Sequence, residues 1–317
     1  MTTPTPVDIV ILSHEYRDYA RELKNRSDAP VNVVAATDRP DTVPTEGVEV
    51  LLGDPDLVAQ VIGDCPKLRW VQSGWAGNAP LINHTRQDYI LTGVKGVFAM
   101  QMREYVFAHL LYFSRNIAGF TQAAGRLQQK WHKPDFYYLA GKTLGICGAG
   151  SIAEALVPVA HAFGMQVIGL SRSGQPKAGF AAMYTAKDKT AFASQCDFLV
   201  SLMPDTPQTS QFIDETLLAA LPAQAVLINA GRGSAIVQSA LLDALDTGHL
   251  RAAVLDVFEQ EPLADDHPFW SHPAILVTQH TAAASRPQDI ISVFTDNLKR
   301  YQTGQSLHYI IDFEKGY

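Results

Sequence analysis

Short apolar runs alternate with amphipathic helical stretches along almost all of this 317-residue chain, and that alternation limits the fold more than any other feature. Val7–Leu12, Val31–Ala35, Val48–Leu52 and Leu68–Gln72 read as strands, and Tyr16–Lys24 and Asp56–Ile62 between them read as helices. A second series has strands at Thr143–Cys147, Val167–Leu170, Phe198–Leu202, Ala225–Asn229, Ala252–Asp256 and Ile275–Thr278, with a helix over Ile152–Phe163. Alternating strand and helix predicts α/β architecture: parallel sheets covered by helices on both faces. Between the two series, Met102, Val106, Leu110, Phe113 and Ile117 form one apolar stripe, which predicts a long helix from about Met100 to Ala124. Ile290, Phe294, Leu298 and Tyr301 mark a last helix.

At roughly 150 residues per domain, the length suggests two domains. Hydrophobic residues make up 47% and charged residues 18%, the balance of a well-packed globular chain rather than a disordered one. No apolar run reaches the ~18 residues of a membrane span, and the opening MTTPTPVDIV lacks the basic region of a secretory signal. Cys65, Cys147 and Cys196 are odd in number and never spaced C-x-x-C, so no disulfide framework or zinc site is expected and a cytoplasmic location is the default. No His, Asp or Glu cluster has metal-ligand spacing, so no metal is expected. A formal net charge of -7 argues against a nucleic-acid partner.

The segment GKTLGICGAGSIAEAL places Gly148 and Gly150 directly after a strand and at the opening of a helix. Such a turn lets the backbone approach a pyrophosphate, whose charge then rests on the helix N-terminus around Ser151 and Ile152. Ala153 replaces the third glycine of the fingerprint and is small enough for close helix–strand packing. Pro158 should kink the following helix. About 20 residues on, where an NAD enzyme carries Asp or Glu for the ribose hydroxyls, this chain reads Ser171-Arg172-Ser173. An arginine flanked by hydroxyls suits a 2′-phosphate, which predicts NADP(H) over NAD(H).

Three further segments carry candidate chemistry: AVLINAGRG at 225–233, VLDVFEQEPL at 254–263 and ILVTQHTAAA at 275–284. Their order and spacing resemble the D-isomer-specific 2-hydroxyacid dehydrogenases, and the similarity runs from S-G-W-A-G at Ser73–Gly77 to the tail. M-R-E-Y-V, S-R-S and the closing G-Y resemble the glyoxylate/hydroxypyruvate reductases of that family. The resemblance implies that Arg232 binds the substrate carboxylate and polarises its 2-oxo group. It implies His280 as general acid, with Glu261 as its hydrogen-bond partner. It also implies cofactor contacts from Met203, Pro204 and Thr206, from Ala230 and from Asp256. Substrate contacts would come from Trp75, Ala76 and Gly77, through backbone N–H groups of the Ser73–Gly77 loop. The family residue before the histidine is proline; here it is Gln279. Elementary chemistry agrees with these roles. Hydride addition to a ketone creates an alkoxide, and a neighbouring cation and a positioned proton donor both lower that barrier.

The resemblance further implies two Rossmann-like/flavodoxin-like domains with the active site in the cleft between them. Residues 1–99 and 286–317 would form the substrate domain, with Leu307–Ile311 as a returning strand, and 100–285 the dinucleotide-binding domain. The long helix and the Trp131–Tyr138 segment would make a homodimer. His109 and His161 read as packed residues. Two alternatives remain open: a formate- or phosphite-type dehydrogenase, and a nicotinamide-sensing regulatory protein of the same fold.

Overall fold

The structure is a computed structural model that describes residues 6–26, 31–124 and 133–316. Trp131 of the expected dimer segment, and the closing Tyr317, lie outside the described residues. The chain divides into two compact units, Met1–Val97 with Ser285–Tyr317, and Phe98–Ala284.

In the first unit β1 (Val7–Leu12), β2 (Val31–Thr37), β3 (Val50–Gly53), β4 (Trp70–Ser73) and β5 (Ile90–Thr92) form a parallel sheet in the order β2-β1-β3-β4-β5. Alternation along the strands splits the core between the two faces, as the period-2 geometry of a strand requires. Val10, Leu12, Leu51, Val71 and Leu91 pack on one side. Ile9, Ile11, Val50, Leu52 and Trp70 pack on the other, beneath helices Tyr16–Arg26 and Pro287–Gln302. The last helix buries Ile290, Ile291, Phe294 and Leu298 completely, and Phe294 stacks on Trp70 with ring centroids 5.2 Å apart. Leu307–Ile311 does not form the expected strand. Tyr309 has φ +60°, which breaks an extended run, and only an isolated antiparallel bridge between Thr92 and Ile310 remains. The helix expected over Asp56–Ile62 is confined to Pro55–Val58.

The second unit holds a parallel sheet of seven strands among the described residues: β6 (Thr143–Cys147), β7 (Gln166–Leu170), β8 (Ala182–Tyr184), β9 (Phe198–Ser201), β10 (Val226–Asn229), β11 (Ala252–Leu255) and β12 (Ile275–Val277). Their order is β12-β11-β10-β9-β6-β7-β8. Strand order reverses between β6 and β9, and beyond the carboxyl ends of strands at such a switch point open α/β sheets take their ligands. The expected long helix is two helices, Ala99–Ser114 and Ile117–Ala124. Asn116 between them takes φ +50°, and its Oδ1 accepts the Gly119 N–H at 3.2 Å. Asparagine tolerates the left-handed region and caps the next helix, so an uninterrupted apolar stripe hides a break. Helix Ser151–Ala162 runs on through Pro158, whose ring lies on the exposed side. Among the described residues no helix is long and apolar enough to cross a membrane.

Candidate active site

Strand register gathers the candidate residues of the second unit along one edge. Cys147 pairs with Leu170 and with Ser201, Ser201 with Asn229, Asn229 with Leu255, and Leu255 with Val277. The residues that follow these positions therefore leave the sheet side by side: Gly148–Ile152, Ser171–Ser173, Met203–Thr206, Ala230–Arg232, Asp256 and Thr278–His280.

Gly148 has φ +90°, and a Cβ there would lie 2.7 Å from the Leu202 carbonyl oxygen. Only glycine fits both demands. Gly150 caps helix Ser151–Ala162, and the space a Cβ would enter beside it is open. Ala153 is fully buried, which brings helix and sheet together. An uncovered helix N-terminus behind a glycine turn fits a dinucleotide pyrophosphate. In the loop after β7, the Ser171 Oγ accepts the Gly174 N–H at 3.1 Å, and Arg172 and Ser173 are exposed. After β9, Met203 is buried, and Thr206 shares a hydroxyl contact of 2.9 Å with Thr209.

Arg232 is half-buried between β10 and the short 3-10 turn Gly233–Ala235. Asn229, fully buried, holds it from both sides: its Nδ2 donates to the Arg232 carbonyl at 2.9 Å and its Oδ1 accepts the Gly231 N–H at 3.3 Å. Gly231 packs so tightly that a Cβ would sit 2.7 Å from the Met203 nitrogen. Among the described residues the guanidinium pairs with no carboxylate; it donates to the Gly231 carbonyl at 2.6 Å. Burial pushes its pKa down, opposed by the charges of Asp205 and Glu261. A half-buried guanidinium without an ion-pair partner is suited to a small anion.

Glu261 bridges two groups. Its Oε1 accepts the Phe258 N–H at 2.8 Å, and its Oε2 lies 2.7 Å from His280 Nδ1. An Nδ1–H donated to a carboxylate leaves Nε2 as the reactive nitrogen. The His280 side chain is 54% exposed, so that nitrogen is reachable from solvent. Gln279 and His280 both take left-handed backbone, with φ +58° and +57°. Asp256 is nearly fully buried. Its oxygens receive the Thr278 hydroxyl at 2.6 Å, the Thr281 N–H at 2.8 Å and the Ala282 N–H at 3.1 Å.

In the first unit the Ser73–Gly77 loop follows β4. The Gly74 N–H goes to the Gly53 carbonyl at 2.8 Å and the Trp75 N–H to Ser73 Oγ at 3.1 Å. The expectation that the whole loop offers amides therefore narrows. Trp75 is a half-buried side chain with its own N–H satisfied, whereas Ala76 and Gly77 keep amides without a partner among the described residues.

Several placements differ from the sequence reading. His161 is exposed rather than packed, while His109 is half-buried with Nδ1 2.8 Å from the Tyr105 carbonyl oxygen. Spacing along the chain offered no metal-ligand cluster, yet the fold gathers His14, Asp54 and Asp56 at the carboxyl ends of β1 and β3, with ligand atoms within 4.8 Å. Those groups largely satisfy one another: His14 Nε2 lies 3.2 Å from Asp56, and Asp54 accepts the Ser13 hydroxyl and the His14 N–H. Sequence reasoning missed Asn229, and it missed Asp205, whose Oδ1 accepts the Ser234 hydroxyl at 2.6 Å and joins the loops after β9 and β10. N-A-G-R-G contains the asparagine, but nothing in a linear motif marks which residue holds the arginine.

Comparison with known proteins identifies the family. Residues 107–282 match the family described as D-isomer specific 2-hydroxyacid dehydrogenase, NAD binding domain. Glyoxylate/hydroxypyruvate reductase A of Serratia proteamaculans is 35% identical over 219 residues, 69% of this chain and 69% of that protein. A D-isomer specific 2-hydroxyacid dehydrogenase family protein from Aeromonas salmonicida superposes with a TM-score of 0.90 at 36% identity, covering 98% of this chain and all of that one. An NADPH-dependent glyoxylate/hydroxypyruvate reductase from Sinorhizobium meliloti, solved with NADP and sulfate, gives 0.86 at 28% identity, covering 98% of this chain and 100% of that one. A glycine turn opening a helix, a histidine–glutamate pair and a half-buried arginine thus stand on a chain that belongs to the D-isomer specific 2-hydroxyacid dehydrogenases, a family of NAD(P)-dependent oxidoreductases.

Proposed function

We propose that this chain reduces small 2-oxo acids, glyoxylate and hydroxypyruvate, to D-2-hydroxy acids with NADPH. The observation that carries the reading is the His280–Glu261 pair at 2.7 Å, set on the same sheet edge as the unpaired Arg232 and the Gly148–Gly150 turn. When bound, NADPH would supply the hydride. Arg232 holds the substrate carboxylate and draws charge from the 2-oxo group. His280 Nε2–H protonates the carbonyl oxygen as it becomes an alkoxide, and the exposed ring regains its proton from solvent. Glu261 keeps the Nδ1–H in place, so Nε2 faces the substrate as the proton donor. Gly148, Gly150, Ser151 and Ile152 would hold the pyrophosphate, and Met203, Pro204, Thr206, Ala230 and Asp256 would line the nicotinamide side. Ser171, Arg172 and Ser173 would hold a 2′-phosphate, and the NADP in the Sinorhizobium meliloti enzyme supports that choice. Trp75, Ala76 and Gly77 would contact the substrate, Ala76 and Gly77 through their backbone amides.

Exposed Met100, Ile117, Phe120, Phe136 and Tyr138 support a homodimer. Three buried, unpaired cysteines support a reducing compartment such as the cytoplasm.

The test is steady-state turnover of glyoxylate, hydroxypyruvate, pyruvate and acetaldehyde with NADPH and with NADH, and chiral analysis of the hydroxypyruvate product. The expected result is turnover of the acids, preference for NADPH and a D product. Acetaldehyde lacks the carboxylate, so it leaves Arg232 unpaired and should be poorer by about two orders of magnitude or more. Comparable turnover of acetaldehyde, an L product, or no turnover would overturn the reading.

A further inference from the structure

We propose that Tyr105 is a positioning residue for His280 and acts through the Thr278 hydroxyl and Asp256; the inference rests on reading His280 as the proton donor. The loop that carries His280 has a conformation that needs support. Two consecutive non-glycine residues, Gln279 and His280, lie in the left-handed region. Asp256 restrains both sides of this kink. Its carbonyl accepts the His280 N–H at 2.6 Å, and its carboxylate takes the Thr278 hydroxyl ahead of the kink and the Thr281 and Ala282 amides behind it.

Asp256 is 1% exposed and has no cation within ion-pair distance among the described residues. Among the described residues its buried carboxylate is therefore met by neutral donors. The strength of each donor then matters more than it would in water. Thr278 has one hydroxyl proton and gives it to Asp256, so the 2.8 Å contact between Thr278 Oγ1 and the Tyr105 hydroxyl runs from the phenol to the threonine. Burial pushes the Tyr105 phenol pKa up, which keeps that donor protonated. A proton donated onto Thr278 polarises its own O–H toward Asp256, so the two bonds reinforce each other.

Tyr105 is itself held firmly. Its ring lies against His109 with centroids 4.4 Å apart, and His109 Nδ1 is 2.8 Å from the Tyr105 carbonyl oxygen. One helical turn earlier, Gln101 makes a two-way amide pair with Ala284: Nε2 donates to the carbonyl and Oε1 accepts the N–H, both at 2.9 Å. Helix Ala99–Ser114 thus grips the His280 segment at both ends, Thr278 through Tyr105 and Ala284 through Gln101. Positions four apart share a helix face, which is why one helix can do this.

The experiment compares Tyr105→Phe, Thr278→Val, Thr278→Ser and the Phe/Val double variant. It reads kcat, the NADPH KM, and the His280 imidazole 15N signals by NMR, assigned with His280→Asn. Tyr105→Phe should lower kcat about 3- to 10-fold, leave the NADPH KM unchanged and shift or broaden the His280 signals. Thr278→Val should cost more, the double variant no more than Thr278→Val alone, and Thr278→Ser should restore kcat. Unchanged kcat and His280 signals in Tyr105→Phe, even with a lowered melting temperature, would overturn the proposal, as would additive losses in the double variant. If no 2-oxo acid is turned over, the reductase reading fails separately, and the NMR signals still decide whether Tyr105 positions His280.

Discussion

A proline ring locks φ near −65°, whereas Gln279 sits at φ +58°. The residue that departs from the family pattern is therefore also one whose backbone a proline could not adopt. Gln279→Pro should force the turn apart, cost more than about 3 kcal/mol of stability and remove most turnover. Gln279→Gly should keep the turn and stabilise the fold by about 1 kcal/mol, because glycine enters the left-handed region without a Cβ penalty. Urea midpoints and turnover of both variants check this; a Gln279→Pro variant as stable and active as the parent would show that the turn is not conformationally demanding. At this scale the sequence reveals chemical identity. Arg232, Glu261 and His280 were legible because each sits in a short motif after a strand. The contacts of Asn229, Asp205 and Tyr105 were not legible, because their partners are set by how loops meet rather than by a nearby residue type.

Among the elements, helix Ser151–Ala162 contradicts its own propensities at one position. Pro158 removes a backbone donor in the helix interior, yet the helix continues. The ring is exposed, so the carbonyl left without a donor one turn earlier can be hydrated rather than buried unpaired. Pro158→Ala should restore the hydrogen bond and stabilise the protein by about 1–3 kcal/mol, seen as a higher urea midpoint at unchanged slope. No gain would mean that the proline's restriction of the unfolded chain already offsets the lost bond. Strands with four consecutive buried residues were read to within two residues or so. β5 and β8 escaped notice: each is only three residues long and, unlike the equally short β12, is not an unbroken aliphatic run, Thr92 ending the one and Met183 and Tyr184 the other. The break at Asn116 escaped for the opposite reason: the apolar stripe continues across it, and only the backbone dihedral turns.

For the whole molecule, the return of the chain's end to the first unit is the largest long-range commitment. Ile290, Ile291, Phe294 and Leu298 are fully buried against β1, β3 and β4 residues such as Ile9, Leu52 and Trp70. Burying each such side chain stabilises by about 1.5–3 kcal/mol, so the four together rival the whole stability of a typical domain. A chain ending at Ala284 should therefore leave residues 6–97 open to limited proteolysis while the sheet of Phe98–Ala284 stays resistant. Equal resistance of both regions would show that the last helix is dispensable to that core.

The sequence by itself determined the parallel α/β class, the glycine turn and the chemical types of the three candidate reacting residues. All of these depend on local periodicity or on a few adjacent residues. Tertiary structure alone decided which amides of the Ser73–Gly77 loop remain available, that Asp256 spends its carboxylate on the His280 loop, and that Tyr105 reaches Thr278. Those facts depend on strand register and on hydrogen bonds between residues far apart in the chain. A buried donor or acceptor takes whichever partner the packing brings within about 3 Å, and residue type along the chain does not specify which one that is.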